Sequence, residues 1–181
     1  MTVRARATID DLYREPGKAE IVNGEIVRLP AAGIGPGHAG DEIFIALHKY
    51  AKRVNFGLAV NNNVFGVALP NRESFSPRAA YVAKEVKFSM KFFEGAPVFA
   101  AEVRTESDYG PAADRARAEK RIDYFAAGTL VVWDVDLLSE DVVRVYRASA
   151  PEEPTPYRRG DLAEAEPAVP GWRMAVDDLF L

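Results

Sequence analysis

The hydrophobic positions of the chain fall into short runs whose period changes several times. Lys18-Ala19-Glu20-Ile21-Val22 and Glu25-Ile26-Val27-Arg28-Leu29 alternate on either side of Asn23-Gly24. Two alternating runs around Asn-Gly predict a β-hairpin, with Glu20 and Val22 on one face and Ile21 on the other. Ahead of it, Thr8 fits an N-cap, and Asp10 and Asp11 favour the positive end of a short helix through Tyr13. Residues 30–37 read as a Gly/Pro/Ala loop. A helix follows, with Ile43, Phe44, Leu47, Tyr50, Ala51 and Val54 at helical spacing and Gly57 placed to help end it. Strand-like runs come next at 58–60, 64–69 and 79–82.

Val98-Phe99-Ala100-Ala101-Glu102-Val103 is an apolar run broken by one carboxylate. A helix is predicted over 111–127, with Pro111 in its first turn and Gly128 just past its end. Residues 130–135 form a nearly continuous apolar run, the pattern of a buried strand. Residues 141–147 alternate as a last strand, 151–156 read as a loop, and Pro170-Gly171-Trp172 opens a C-terminal segment. This order predicts an α/β (α+β) sandwich around a mixed sheet.

Composition narrows the function classes. A chain of 181 residues suits one domain over 1–181, and 48% hydrophobic residues suffice for a sizeable core. Cysteine is absent, which excludes disulfides, zinc–thiolate sites and thiol nucleophiles. Met1-Thr2-Val3-Arg4-Ala5-Arg6-Ala7 carries no apolar core of a secretory signal. No run approaches the roughly 18 apolar residues of a spanning helix. The expectation is a cytoplasmic protein without a membrane partner. The net charge of −4 argues mildly against a dedicated DNA-binding module, which is usually basic. It leaves room for an enzyme whose acidic metal site offsets local basic patches.

Glu102 is the most informative residue, because a carboxylate inside an apolar strand is costly unless paired or metal-bound. Pairing with Arg104 is the plain alternative. On the 111–127 helix, Ala118, Ile122 and Phe125 share one face. Lys120 lies nearly opposite, beside Ala113, Ala116, Tyr124 and Ala127. That second face is small enough to lie close to a sheet, so Lys120 either reaches a site or is solvated. His38 and His48 are the only histidines and make no metal signature; His38 reads as a cap-region residue. Gly33-Ile34-Gly35-Pro36-Gly37 lacks the G-K-[ST] of a phosphate cradle and reads as a flexible loop that could line a site's mouth. Phe88, Phe92 and Phe93 are interleaved with Lys84, Lys87 and Lys91, a pattern shared by nucleic-acid surfaces and by amphipathic connecting segments.

Several phrases together resemble one family. Glu20 with Asn23-Gly24-Glu25 is similar to E-x-x-x-G-E, and Ser76-Pro77-Arg78-Ala79-Ala80-Tyr81-Val82 to S-P-D-V-A-Φ-V, Φ being apolar. Glu102-Val103-Arg104-Thr105-Glu106-Ser107-Asp108 resembles E-V-x-S-P-S-D. Lys120 through Gly128 resembles K-x-x-x-Y-x-x-x-G, Val131 through Asp136 resembles Y-W-V-V-D, and the Pro170-Gly171-Trp172 tail matches the family ending. The chain thus resembles the Uma-type restriction endonuclease family, a branch of the PD-(D/E)XK nuclease superfamily.

The resemblance implies a restriction-endonuclease-like mixed central sheet flanked by helices, and phosphodiester hydrolysis of nucleic acid with Mg²⁺ or Mn²⁺. Mg²⁺ prefers carboxylate oxygens and keeps several waters; it polarises the phosphate and helps generate hydroxide. A lysine orients that water or steadies the charge of the transition state. Carried onto this chain, Glu102 is the metal ligand, Glu20 an auxiliary acid, and Lys120 the catalytic lysine. Arg104 occupies the usual superfamily lysine position, two residues beyond the acid.

Arg78 stands where the family pattern has its metal-binding aspartate. A unit charge pair at 4 Å is worth about 4 kcal/mol at an effective dielectric of 20, so this reversal costs several kcal/mol of metal affinity. Three arrangements follow. Arg78 points away and another acid, Glu73 or Glu85, replaces the ligand. Alternatively Arg78 binds phosphate directly, a substrate-binding role open to Arg104 as well. Or the chain is a pseudonuclease retained for nucleic-acid binding or assembly. Nucleases that cut both strands often dimerise, so a homodimer is compatible with the family.

Overall fold

The computed structural model describes residues 5–181, so the first four residues of the Met1-to-Ala7 stretch lie outside the described residues. Thr8 caps helix α1 (Ile9–Leu12) in a complete capping box with Asp11. The hairpin forms as β1 (Ala19–Val22) and β2 (Glu25–Arg28), in the register Glu20↔Val27. Its turn puts Asn23 at φ 53° and Gly24 at φ 74°, the left-handed pair that Asn-Gly supplies with little strain.

Helix α2 (Ile34–Val54) starts earlier than its apolar pattern indicates. Pro36 sits in the first turn, where a missing N–H costs nothing, and the Gly37 amide donates to the Gly33 carbonyl at 2.9 Å. Of the loop read over 30–37, residues 30–33 are non-helical with Gly33 as the N-cap, while Gly35 and Gly37 are helical. Asn55, left-handed at φ 52°, ends the helix, two residues before Gly57. His38 consequently lies inside α2, its Nε2 3.2 Å from the Phe180 carbonyl, rather than at the cap.

The chain continues through β3 (Leu58–Asn61), β4 (Phe65–Leu69), β5 (Arg72–Phe75), β6 (Ala79–Val82), β7 (Phe93–Glu94) and β8 (Phe99–Val103). After α3 (Pro111–Ala126) come β9 (Val131–Val135), β10 (Val143–Arg147), β11 (Ala150–Tyr157), β12 (Leu162–Glu164), β13 (Arg173–Ala175) and a 3₁₀ turn, Val176–Leu179. Five strands, β5, β7, β11, β12 and β13, fall outside the runs read from the sequence, so 141–147 is not the last strand; two of them have a clear reason. The β5 strand turns Arg72 and Ser74 inward, so no apolar alternation marks it. The β11 strand carries Pro151, Pro154 and Pro156, which read as a loop. It lies at the edge of its sheet, where prolines are tolerated.

Among the described residues the central sheet has the order β11-β10-β9-β8-β6-β3. It is mixed: β8 and β9 are parallel, joined by α3 as the crossover, and the other pairs are antiparallel. Period-two alternation divides its residues between two layers. Phe99, Ala101, Val103 and Trp133 pack with α2 and the C-terminal segment on one side. Ala80, Ala100 and Val132 pack on the other side against Tyr124 of α3 and against Phe65 and Phe75 of a second sheet, β2-β1-β5-β4-β7. Phe75 and Tyr124 stack with centroids 3.9 Å apart, so α3 and the second sheet share one core. Each buried ring contributes roughly 1.5–3 kcal/mol through the area it removes from water. Glu102, one repeat beyond Ala100, projects into this shared layer.

Candidate functional site

Glu102 sits at the end of β8 beside Asp134 on β9, on the face that α3 covers. Tyr124 lies four residues after Lys120, one turn along the same helix face. Its hydroxyl donates to Glu102 Oε1 at 2.7 Å, and Lys120 Nζ approaches the same oxygen at 2.8 Å. The small-residue face of α3 thus lies on the sheet and carries Lys120 inward, while Ile122 on the opposite face is 59% exposed. Lys120 is not solvated.

The same ammonium donates to Glu20 Oε1 at 2.7 Å. Glu20 is buried on β1, and its oxygens are fixed from β5 and the residue after it: the Ser76 amide donates to Oε1 at 2.7 Å, and Arg72 Nη1 to Oε2 at 2.9 Å. Arg72 also donates through Nε to Asp123 Oδ2 at 2.9 Å, and Asn71 donates to Asp123 Oδ1 at 2.8 Å. These bonds fasten α3 to the β4–β5 turn one helical turn from Lys120, which fixes the direction of its side chain. Glu20, Glu102 and Lys120, a hundred residues apart at the extremes, therefore meet as a single ion cluster.

The electrostatics follow from this cluster. Burial pushes the Glu102 carboxyl up, but Lys120, Lys18 and the bonds from Lys120 and Tyr124 outweigh it and hold it below the usual carboxylate range. Burial pulls the Lys120 ammonium down, and the two carboxylates more than reverse that, keeping it charged. Burial and the neighbouring Glu102 charge push the Tyr124 phenol well up, so it stays a donor.

The cluster lines a cleft of about 420 Å³, which Lys18, Arg72, Arg78 and Arg117 line as well. Arg78 lies in the wall that the cleft shares with an adjoining hollow. Its Nη1 donates to Asn62 Oδ1 at 3.2 Å, and Lys18 Nζ donates to the same oxygen at 3.1 Å. The stem of Arg78 lies over Gly40 of α2; a Cβ on Gly40 would overlap the stem and stand 2.6 Å from Arg78 Cδ. A bare position in the helix thus accommodates the arginine. Burial lowers the Lys18 ammonium to about 8, with Glu102 opposing and Arg78 and Lys120 reinforcing the shift. Arg117 Nε is buried without a hydrogen-bond partner among the described residues.

Other candidates lie elsewhere. Arg104 does not line the cleft: its guanidinium holds Asp134 through Nε (3.1 Å) and Nη2 (2.9 Å), and Asp114 through Nη1 (2.9 Å). Glu73 pairs with Arg6 and accepts from the Gly24 amide at 3.3 Å, and Glu85 lines a separate hollow beside His48, so neither replaces the missing aspartate. Of residues 30–37, Pro30 lines the cleft and the glycines do not. Lys18, Arg72 and Ser76 went unnoticed as site residues in the sequence. Lys18 could have been found from its place two residues before Glu20. Nothing in the polar run of β5 marked Arg72.

The donor set fits a divalent cation poorly. Among the described residues no group of three or more His, Asp or Glu is placed to hold a metal ion. The two central carboxylates already share Lys120, and Arg78 with Lys18 brings positive charge to the position where the family pattern has an acid. Of the remaining carboxylates in the cleft, Asp108 accepts from the Thr105 amide and hydroxyl at 2.7 and 2.8 Å.

A crystal structure described as a putative nuclease belonging to DUF820, from Anabaena variabilis ATCC 29413, superposes with a TM-score of 0.75. The match covers 96% of this chain and 97% of that one at 17% identity, which establishes a shared fold. No curated protein matches the sequence. The family model described as "Uma2: Putative restriction endonuclease" matches residues 7–177, nearly the full length, and the chain belongs to that family.

Proposed function

We propose that the chain is a nuclease-fold protein that binds nucleic acid by a backbone phosphate in this cleft, without metal-dependent turnover. One observation carries the reading: Arg78 lines the cleft, its stem seated on Gly40, at the position where the family pattern has a metal-binding aspartate. A planar guanidinium presents paired donors that suit phosphate oxygens. Lys18 adds a second cation at neutral pH, and Asn62 holds both heads on one oxygen. Glu20 and Glu102 then serve to keep Lys120 charged and fixed, and no step passes through a metal.

The test is fluorescence anisotropy of a labelled oligonucleotide in EDTA. The wild type binds with a steep salt dependence, because phosphate contacts release counterions. Arg78→Asp loses binding by at least tenfold. Equal binding by the two proteins would remove Arg78 from the interface.

A hydrolytic reading has its own support, the convergence of Glu20, Glu102 and Lys120 on one another. It requires Lys120 to release a carboxylate and Arg78 to leave the cleft. Strand scission in Mg²⁺ or Mn²⁺ that disappears in Glu102→Ala would establish it in place of the binding reading.

A further inference from the structure

A second hollow of about 670 Å³ adjoins the cleft and shares Lys18, Leu29, Pro30 and Arg78 with it as a common wall. It falls in the roughly 300–1,000 Å³ range of small-molecule sites. Tyr13 and Phe92 line it, their rings stacked with centroids 3.9 Å apart and 9° between planes, and Tyr13 is 42% exposed. Ser76 also lines it. That residue is 1% exposed, and its Oγ has no hydrogen-bond partner among the described residues. A buried hydroxyl without a partner is uncommon, and it marks a place where a ligand or water completes the bonding. The one carboxylate of the lining, Glu15, is occupied by Arg28 at 2.8 Å and 3.3 Å.

We propose that this hollow is a nucleotide subsite, taking a base that flanks the phosphate held by Lys18 and Arg78, so that the preferred ligand is an unpaired strand. The inference rests on the reading of the cleft given above. The common wall supplies the argument for the occupant: whatever fills the hollow lies against two cations suited to a phosphate. The same ligand meets an aromatic pair and one unsatisfied hydroxyl. A nucleotide carries all three matching groups, namely an anion, a flat ring and polar ring edges or sugar hydroxyls. A base can enter only after leaving its stack, which a paired duplex resists and a single strand permits.

The experiment compares a labelled oligo-dT strand with the same strand annealed to oligo-dA, both in EDTA, by anisotropy. The wild type is expected to bind the single strand at least tenfold more tightly than the blunt duplex. Ala32→Trp, which fills the hollow from its half-buried rim, is expected to abolish that preference. Ser76→Ala, a smaller change, is expected to weaken single-strand binding several-fold. Circular dichroism confirms that each variant is folded. If single strand and duplex bind equally, or if neither variant affects single-strand binding, the subsite is refuted while the phosphate cleft stands. If the wild type binds neither, the cleft reading falls and the subsite with it.

Discussion

Replacing Lys120 by Met tests the ion cluster directly. In the native protein one ammonium lies 2.7 Å from Glu20 and 2.8 Å from Glu102. The lysine side chain is 16% exposed and the two carboxylates 3% and 17%, so solvent screens them little. Removing the cation leaves two like charges facing each other, worth on the order of 3 kcal/mol at about 5 Å and an effective dielectric of 20. Breaking a buried ion pair from one side costs about 3–5 kcal/mol. For a chain of this size that lowers the Tm by about 6–20 °C.

The pH dependence has a definite sign. Glu102 is held below the ordinary carboxylate range in the folded protein. Its contribution is therefore present above the unfolded pKa and is lost as pH falls through the folded one. In Lys120→Met one carboxyl of the pair takes up a proton more readily, which relieves the repulsion on acidification. The stability gap between wild type and variant should be full near pH 8 and narrow towards pH 5. Urea melts across that range measure it. A variant that melts with the wild type at every pH would mean that Lys120 is solvated and the cluster is incorrect.

Three further outcomes are expected. Tyr124→Phe removes the donor to Glu102 and should cost about 1–3 kcal/mol in urea melts, with oligonucleotide affinity unchanged. Arg104→Ala removes one of the two guanidiniums bonded to the buried Asp134, Arg117 remaining, and should destabilise by about 1–3 kcal/mol, also without changing anisotropy. Lys18 carries its charge only below about 8, so oligonucleotide affinity should fall as pH rises through that value. In Lys18→Met the same titration by anisotropy should be flat there.

Much of the frame was legible in the sequence because its signals are local. Asn23-Gly24 fixes the hairpin through its positive φ angles, Pro111 and Gly128 bracket α3, and the apolar run of β8 singles out Glu102 as its one carboxylate. The cluster itself is not local. Nothing near Lys120 in sequence indicates that its ammonium meets Glu20, a hundred residues away. The bonds that aim it, from Arg72 and Asn71 to Asp123, lie on a strand whose inward residues are polar and break the strand pattern. Arg104 shows the opposite failure. Its position two residues after the acid suggested a role at the site, yet the neighbouring strand presents Asp134, which holds it away from the cleft. The direction of Arg78 depends on Gly40, a contact between α2 and the start of β6 that no periodicity reveals.

The most direct test of metal-free phosphate binding is to follow wild-type binding to a labelled single strand in EDTA and then add Mn²⁺. The account predicts binding in EDTA that Mn²⁺ neither strengthens nor converts to cleavage, and that Arg78→Asp removes. Binding that appears only with Mn²⁺, with the strand cut and both effects lost in Glu102→Ala, would contradict it.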